Sequence, residues 1–421
     1  MKSRLLVVLF LFLVLHTYGQ KVIEKNYIAN LENDAVHRYL NEVIYNPGDT
    51  SVIDDYRKDT NYRMDHPACV AMSIDDTEID SVLIECYNYE TQDDSLSFKV
   101  AVDNGNIELY NLVPNCNYFY RILAADSLLQ EGYINTKGQL RMLKIPGTVA
   151  NVRDMGGWQT TDGKIIKYGK LFRGTELNGN HTITEEGIQL FRELGVGAEL
   201  DLRAYYNKAG NNISVFNFKH DYETMAGEVP TYFYIGKPDN GQLTSHLTQA
   251  DKLEKWRKEF NFIINNLRQE RAIYIHCVSG KDRVGYLCFL LEGLLGLSYE
   301  NLVKDYELSY FAYNDKSTKD SIDKVFEFIE QLEGETLRSK FNYYFTNKIG
   351  VLQTDIDYFM NEMLLNKEDE EIVTNIKHIS KHSDIKNTIY SIMGTPLSTI
   401  NKGCLYLIRD KKGKVHKVFK Q

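Results

Sequence analysis

Hydrophobic residues follow different rhythms along the 421-residue chain. Residues 5–15 are an unbroken apolar run, too short to span a bilayer as a stable helix. From about 20 to 140 the apolar residues sit in short stretches of strand formers: 81–87, 96–100, 107–113 and 118–123. Asp103-Asn104-Gly105-Asn106 is a turn cluster between two of them. From about 141 to 365 the pattern changes. Helical stretches over 184–194, 251–267 and 285–295 alternate with short apolar strands at 197–203 and 271–275, which predicts an α/β layer with parallel strands. Helical patterns continue over 299–310, 321–332 and 351–365. Residues 366–384 are polar, with the acidic run Glu368-Asp369-Glu370-Glu371, and read as a linker. Apolar runs at 404–408 and 415–419 flank Asp410-Lys411-Lys412-Gly413 and predict a terminal hairpin. The expected organisation is a leader over 1–19, an all-β sandwich module over 20–140, and an α/β domain over 141–365 with a central parallel-rich sheet flanked by helices. A linker and a hairpin tail over 385–421 follow.

Composition narrows the class. Charged residues are 25 % and hydrophobic residues 43 % of the chain, an ordinary globular balance. A formal charge of −9 argues against nucleic acid as the partner, because phosphate backbones call for concentrated Lys and Arg. Lys2 and Arg4 precede the first apolar run, and Thr17-Tyr18-Gly19 follows it with small residues before Gln20. That order is an export signal, so the expected location is periplasmic, cell-surface or extracellular. The six cysteines, at 69, 86, 116, 277, 288 and 404, show no Cys-x-x-Cys or Cys/His spacing, so neither a metal nor a cofactor is expected. Export permits a disulfide among Cys69, Cys86 and Cys116, although an odd number favours buried thiols.

The chemistry concentrates in His276-Cys277-Val278-Ser279-Gly280-Lys281-Asp282-Arg283-Val284-Gly285, between a predicted strand and a predicted helix. Cys followed six positions later by Arg is uninformative alone; the context gives it weight. A strand-to-helix turn points backbone N–H groups into one concavity, and the helix N-terminus adds a positive end. Val278, Ser279, Gly280 and Lys281 would form the phosphate cradle, with Gly280 allowing the tight turn. Arg283 can fork onto two phosphate oxygens. Cys277 then lies beneath the phosphorus in surroundings that favour a thiolate, which implies phosphoryl transfer through a phosphocysteine. Asp282 is the adjacent acid for the leaving oxygen. Lys281 would place a positive charge at the rim, suited to multiply charged substrates.

The string resembles the loop of the bacterial tyrosine/serine phosphatase family within the cysteine-dependent phosphatases. Asn151-Val152-Arg153-Asp154-Met155-Gly156-Gly157, Leu171-Phe172-Arg173-Gly174 and Leu200-Asp201-Leu202-Arg203 resemble further motifs of that family, as do Asp305-Tyr306 and Ile349-Gly350-Val351. The resemblance covers about residues 145–365. It implies Cys277 as nucleophile, Arg283 as clamp and Asp282 as general acid, with phosphorylated protein, phosphoinositide or inositol phosphate as substrate. His276, Asp201, Arg203, Arg153 and Asp154 are the expected supporting residues, with Arg173 at the pocket floor. Asp221, Glu223 and Asp239 are alternative acids. The family carries a hydroxyl residue after the arginine that helps the thiolate leave. Val284 lacks one, which leaves a weakly catalytic or inactive phosphate-binding surface protein as the rival reading. Arsenate reduction and sulfur transfer also use Cys-x5-Arg loops, but the flanking motifs favour the phosphatase. Upstream, Leu109-Tyr110-Asn111-Leu112-Val113-Pro114 with Tyr118-Phe119-Tyr120-Arg121 resembles a fibronectin type III-like module. In the tail, Ser391-Ile392-Met393-Gly394, Lys402-Gly403-Cys404-Leu405-Tyr406-Leu407 and Lys412-Gly413-Lys414-Val415 resemble the β-rich C-terminal segments of exported Bacteroidetes proteins. Some of those act in sorting, which would imply surface or envelope association; a plain hairpin with a solvated basic face is the alternative.

Overall fold

The computed structural model describes residues 22–57, 67–88, 95–125, 127–203, 223–226, 247–312 and 319–365, and four strands of the tail. The chain divides into two units. One draws on residues within 22–29, 69–109 and 115–137; the other takes 30–68, 110–114 and 138 onward.

Alternation of more and less buried positions builds the first unit. Its strands are Ile23–Glu24 (β1), Tyr27–Asn30 (β2), Val70–Ser73 (β3), Ser81–Asn88 (β4), Ser95–Ala101 (β5), Asn106–Leu109 (β6), Asn117–Ala124 (β7) and Ser127–Lys137 (β8). A six-stranded sheet runs β1-β8-β7-β4-β5 with β2 also on β8, and β3 pairs with β6. Val82, Ile84 and Cys86 on β4 and Tyr118, Tyr120 and Ile122 on β7 are buried on one face, as period two demands. Cys86 is a free thiol, its pKa pushed up to about 12 by burial.

Residues 34–57 correct the expectation of a β module running unbroken from 20 to 140. They fold as helices Asp34–Glu42 (α1) and Ile53–Arg57 (α2) and belong to the second unit. Asn33 caps α1 by accepting from the Ala35 N–H at 2.9 Å, and Ala35, Val36, Tyr39 and Leu40 form its buried stripe.

The second unit's sheet comprises Arg153–Asp154 (β9), Leu171–Gly174 (β10), Val196–Asp201 (β11), Glu223–Ala226 (β12) and Ala272–His276 (β13), in the order β12-β11-β13-β10-β9. All neighbours are parallel except β9, which runs antiparallel to β10. Its helices are Glu185–Glu193 (α3), Ala250–Leu267 (α4), Asp282–Leu295 (α5), Tyr299–Ala312 (α6), Lys319–Glu330 (α7), Leu337–Tyr343 (α8) and Gln353–Met363 (α9), with a π-helical turn at Tyr344–Ile349. Ala198, Leu200, Ile273 and Ile275 pack into one core with α4, α5 and α6; Val196, Ala272 and Tyr274 pack into another with α3. Burial on both faces explains the near-continuous apolar strands. In the tail, Thr388–Ser391 (β14), Pro396–Leu397 (β15), Cys404–Arg409 (β16) and Val415–Lys420 (β17) form an antiparallel sheet ordered β15-β14-β16-β17. The segments expected as leader (1–19) and linker (366–384) lie outside the described residues. Among the described residues no helix is long and apolar enough to cross a membrane.

One carboxylate ties α1 and the segment between α1 and α2 to the helices behind them. Glu307, on α6, accepts from Tyr39 and Tyr45 hydroxyls at 2.7 Å each, and from the Ser51 hydroxyl and the Lys319 N–H at 2.6 Å each. Burial raises its pKa against these donors. Glu307→Gln replaces one accepting oxygen with an amide N–H₂, which faces hydroxyls now turned to donate or a Lys319 N–H that cannot accept. The expected cost is about 2–3 kcal/mol, read as a lower urea midpoint at unchanged m-value.

Candidate active site

β13 delivers His276 and Cys277 to the C-terminal edge of the sheet, and α5 begins five residues after Cys277. Between them Gly280 takes φ +67, and a Cβ there would lie 2.3 Å from the Gly174 carbonyl oxygen, so only glycine fits. Val284 onward is buried along α5, which anchors the helix, and Cys277 is 3 % exposed.

Every carbonyl from His276 to Lys281 is engaged. The Leu202 N–H donates to His276 O at 2.8 Å, the Glu176 N–H to Val278 O at 3.1 Å and the Gly285 N–H to Lys281 O at 2.9 Å. Asn151 Nδ2 donates to Ser279 O and Gly280 O at 3.2 and 3.3 Å, and an Arg173 nitrogen also reaches Gly280 O at 3.1 Å. His276 Nδ1 lies 3.2 Å from Cys277 O. A peptide N–H points opposite to its C=O, so tying these carbonyls to the surrounding scaffold leaves the loop's N–H groups directed away from it.

A buried charge cluster holds these clamps. Arg153 donates through Nε to Asp305 Oδ1 at 3.1 Å and through a terminal nitrogen to Asn151 Oδ1 at 2.7 Å. Arg173 donates to Asp305 Oδ2 at 2.5 Å. Asn151 also donates to the Ser309 hydroxyl at 3.1 Å. Burial alone would raise the Asp305 carboxyl, but Arg153 and Arg173 outweigh it and hold it below the usual range. Glu292, from α5, is buried beside this cluster. Burial first, and then the charge of Asp305, raise its pKa well above the ordinary value.

On the other flank Arg203 forks onto Asp201, with contacts of 2.7–3.0 Å, and donates to Glu176 Oε2 at 3.0 Å. His276 Nε2 lies 2.8 Å from Glu199 Oε1 and its ring stacks on Tyr274. Arg283 is half-buried and donates to Leu202 O at 3.0 Å, which fixes the guanidinium at the loop's end.

The structure therefore brings together Cys277, Val278, Ser279, Gly280, Lys281, Asp282 and Arg283, with His276, Asp201, Arg203 and Arg153 behind them. Two expectations are corrected. Asp154 points away from the loop: its carboxylate accepts from Gly156 and Gly169 N–H groups at 2.9 and 2.7 Å and lies 3.6 Å from Arg141. Successive side chains of β9 face opposite ways, so Arg153 goes to the loop cluster and Asp154 braces the turn behind it, its pKa raised by burial to about 6. Lys281 is not a solvated rim charge. It is 6 % exposed, with its stem packed and its ammonium 3.8 Å from the half-exposed Asp282 carboxylate. Asp221 and Asp239 lie outside the described residues, and of Glu223 only the backbone in β12 is described. Sequence reasoning missed Glu199, Glu176 and Ser309. A charged residue inside an otherwise apolar strand was the available signal for Glu199. Among the described residues no cluster of three His, Cys, Asp or Glu side chains could hold a metal.

Residues 144–373, more than half of the chain, match the sequence model of a family described as the tyrosine phosphatase family. A protein of Cupriavidus necator named as a tyrosine-protein phosphatase is 23 % identical over 167 residues, which is 38 % of this chain and 60 % of that protein. The chain thus spans about three-fifths of the length of the curated relative it matches.

Proposed function

Because the chain belongs to the tyrosine phosphatase family, we propose that it hydrolyses phosphomonoesters through Cys277. The observation that carries this reading is the engagement of all six carbonyls from His276 to Lys281, which turns the peptide N–H groups toward a tetrahedral anion at the N-terminus of α5. In the first step the Cys277 sulfur attacks phosphorus, the P–O ester bond breaks, and the leaving oxygen takes a proton from Asp282. In the second step water attacks phosphorus, the S–P bond breaks to return the thiolate, and the water's proton passes to Asp282. Arg283 clamps two of the phosphoryl oxygens in both steps. Phosphotyrosine is the default substrate; phosphoserine, phosphothreonine, phosphoinositides and inositol phosphates are the other classes. The Lys281 ammonium lies at the acid and not at an outer rim, so its charge acts on the scissile phosphate.

Val284 favours a second reading. It is fully buried in the first turn of α5 and has no hydroxyl to assist the departing thiolate, as a phosphate-binding surface protein with little turnover would. Residues 1–19 read as an export signal and the first unit as a fibronectin-like spacer, and both suit either reading. Phosphate release by the reduced protein from aryl phosphate, phosphopeptides, phosphoinositides and inositol phosphates decides between them. The order of rates within the panel assigns the substrate class. Tight vanadate binding without release from any member makes the protein a binder.

A further inference from the structure

The Glu199 carboxylate is buried in β11, where the neighbouring side chains Ala198 and Leu200 belong to the apolar core. It is spent on His276. The imidazole is fully buried, with Nε2 2.8 Å from Glu199 Oε1, and Nδ1 3.2 Å from Cys277 O and 3.8 Å from Asp201 Oδ1. Both ring nitrogens therefore face oxygens that accept. A neutral imidazole carries one N–H and one lone pair, and would aim the lone pair at an oxygen; only the cation donates from both sides. The charged groups around the ring are Glu199 and Asp201 from β11, and Arg203, which is itself divided between Asp201 and Glu176. Without a cation at 276, Arg203 would be the single positive charge among these three buried carboxylates.

We infer that Glu199 is a positioning residue: it locks His276 as an imidazolium whose Nδ1–H holds the Cys277 carbonyl. The lock has two effects on the adjoining cysteine. It fixes the first peptide of the loop, which orients the next N–H into the cradle, and it places a permanent positive charge one residue from the sulfur. Although burial of the ring opposes the charge, the Asp201 and Glu199 carboxylates outweigh it and raise the His276 pKa. The inference rests on the proposed role of Cys277, but its test needs no turnover.

The test is the rate at which iodoacetamide modifies Cys277, followed by mass spectrometry of its peptide, in the intact protein and in Glu199→Gln. Near pH 6.5 the variant is expected to react about tenfold more slowly, because it has lost the charge that keeps the imidazole cationic; near pH 9, where thiols ionise without help, the two rates should converge. Equal rates at both pH values, or the same slowing at both, would overturn the assignment, the first by removing any role and the second by making it purely structural. Nitrogen-15 NMR of His276 in the unmodified chain gives a check that does not depend on the variant folding. Both ring nitrogens should carry protons at pH 7, and a bare nitrogen there sinks the inference. Were the phosphatase reading to fail in the release assay, these two measurements would still read the Glu199–His276 pair.

Discussion

Cys277→Ser is expected to abolish phosphate release, by roughly 10⁴-fold or more, while leaving anion binding in place. A serine hydroxyl at this position needs a base to become a nucleophile, and the structure offers none in the adjoining residue. Both nitrogens of His276 are committed, to Glu199 and to the Cys277 carbonyl. The cradle, in contrast, is built from backbone and from Arg283, and serine disturbs neither. Vanadate or phosphate should therefore still protect the variant against thermal unfolding, and a stoichiometric phosphopeptide complex should form without product. Release persisting in the variant at more than about a hundredth of the original rate would remove Cys277 from the mechanism. Release lost together with anion binding would mean that the sulfur helps to shape the cradle itself.

The loop was legible in the sequence because its chemistry is local: nucleophile, turn glycine, acid and clamp fall within seven consecutive residues, directly after an apolar strand. Two of the parallel strands, β11 and β13, and the long helices were legible for a related reason, since these strands are buried on both faces and each helix carries several turns of pattern, whereas β10 and β12 are too short to announce themselves. What escaped was held at long range. The carbonyl clamps come from Asn151, Arg173, Glu176 and Leu202, and nothing in those residues announces which oxygen each will hold. The helices over 34–57 escaped because a stripe of two turns is a weak signal, and the group that secures it, Glu307, lies 268 positions from Tyr39. Asp154 was misplaced although strand alternation was enough to separate it from Arg153. Lys281 was misplaced because a charged run reads as solvated until burial of its stem is seen.

Asp305→Asn is expected to be the most damaging change away from the nucleophile. Asp305 is the carboxylate that directly neutralises two fully buried guanidiniums, those of Arg153 and Arg173. Breaking a buried ion pair by removing one partner leaves an uncompensated charge and costs about 3–5 kcal/mol, where an exposed pair would cost less than about 1. The loss should reach the loop as well. Arg173 loses the contact that aims it at Gly280 O, and Arg153 the one that aims it at Asn151, the residue that holds Ser279 O and Gly280 O. Vanadate affinity should therefore fall along with stability, in contrast to Cys277→Ser. The pH dependence follows from the sign of the shift. The arginines hold the folded Asp305 carboxyl below its ordinary value, so its contribution is complete above that value, near pH 4, and is lost as pH falls through the lower folded one. Urea unfolding should show a gap between the two proteins that is flat from about pH 5 to 8 and narrows only below about pH 4. Glu292 supplies the contrary outcome. Its pKa is raised by burial and by Asp305, and were it to ionise in the variant and take over the arginines, the gap would shrink to about 1 kcal/mol and open again on acidification as Glu292 reprotonates. That result would assign the neutralising charge to the pair of carboxyls and not to Asp305 alone.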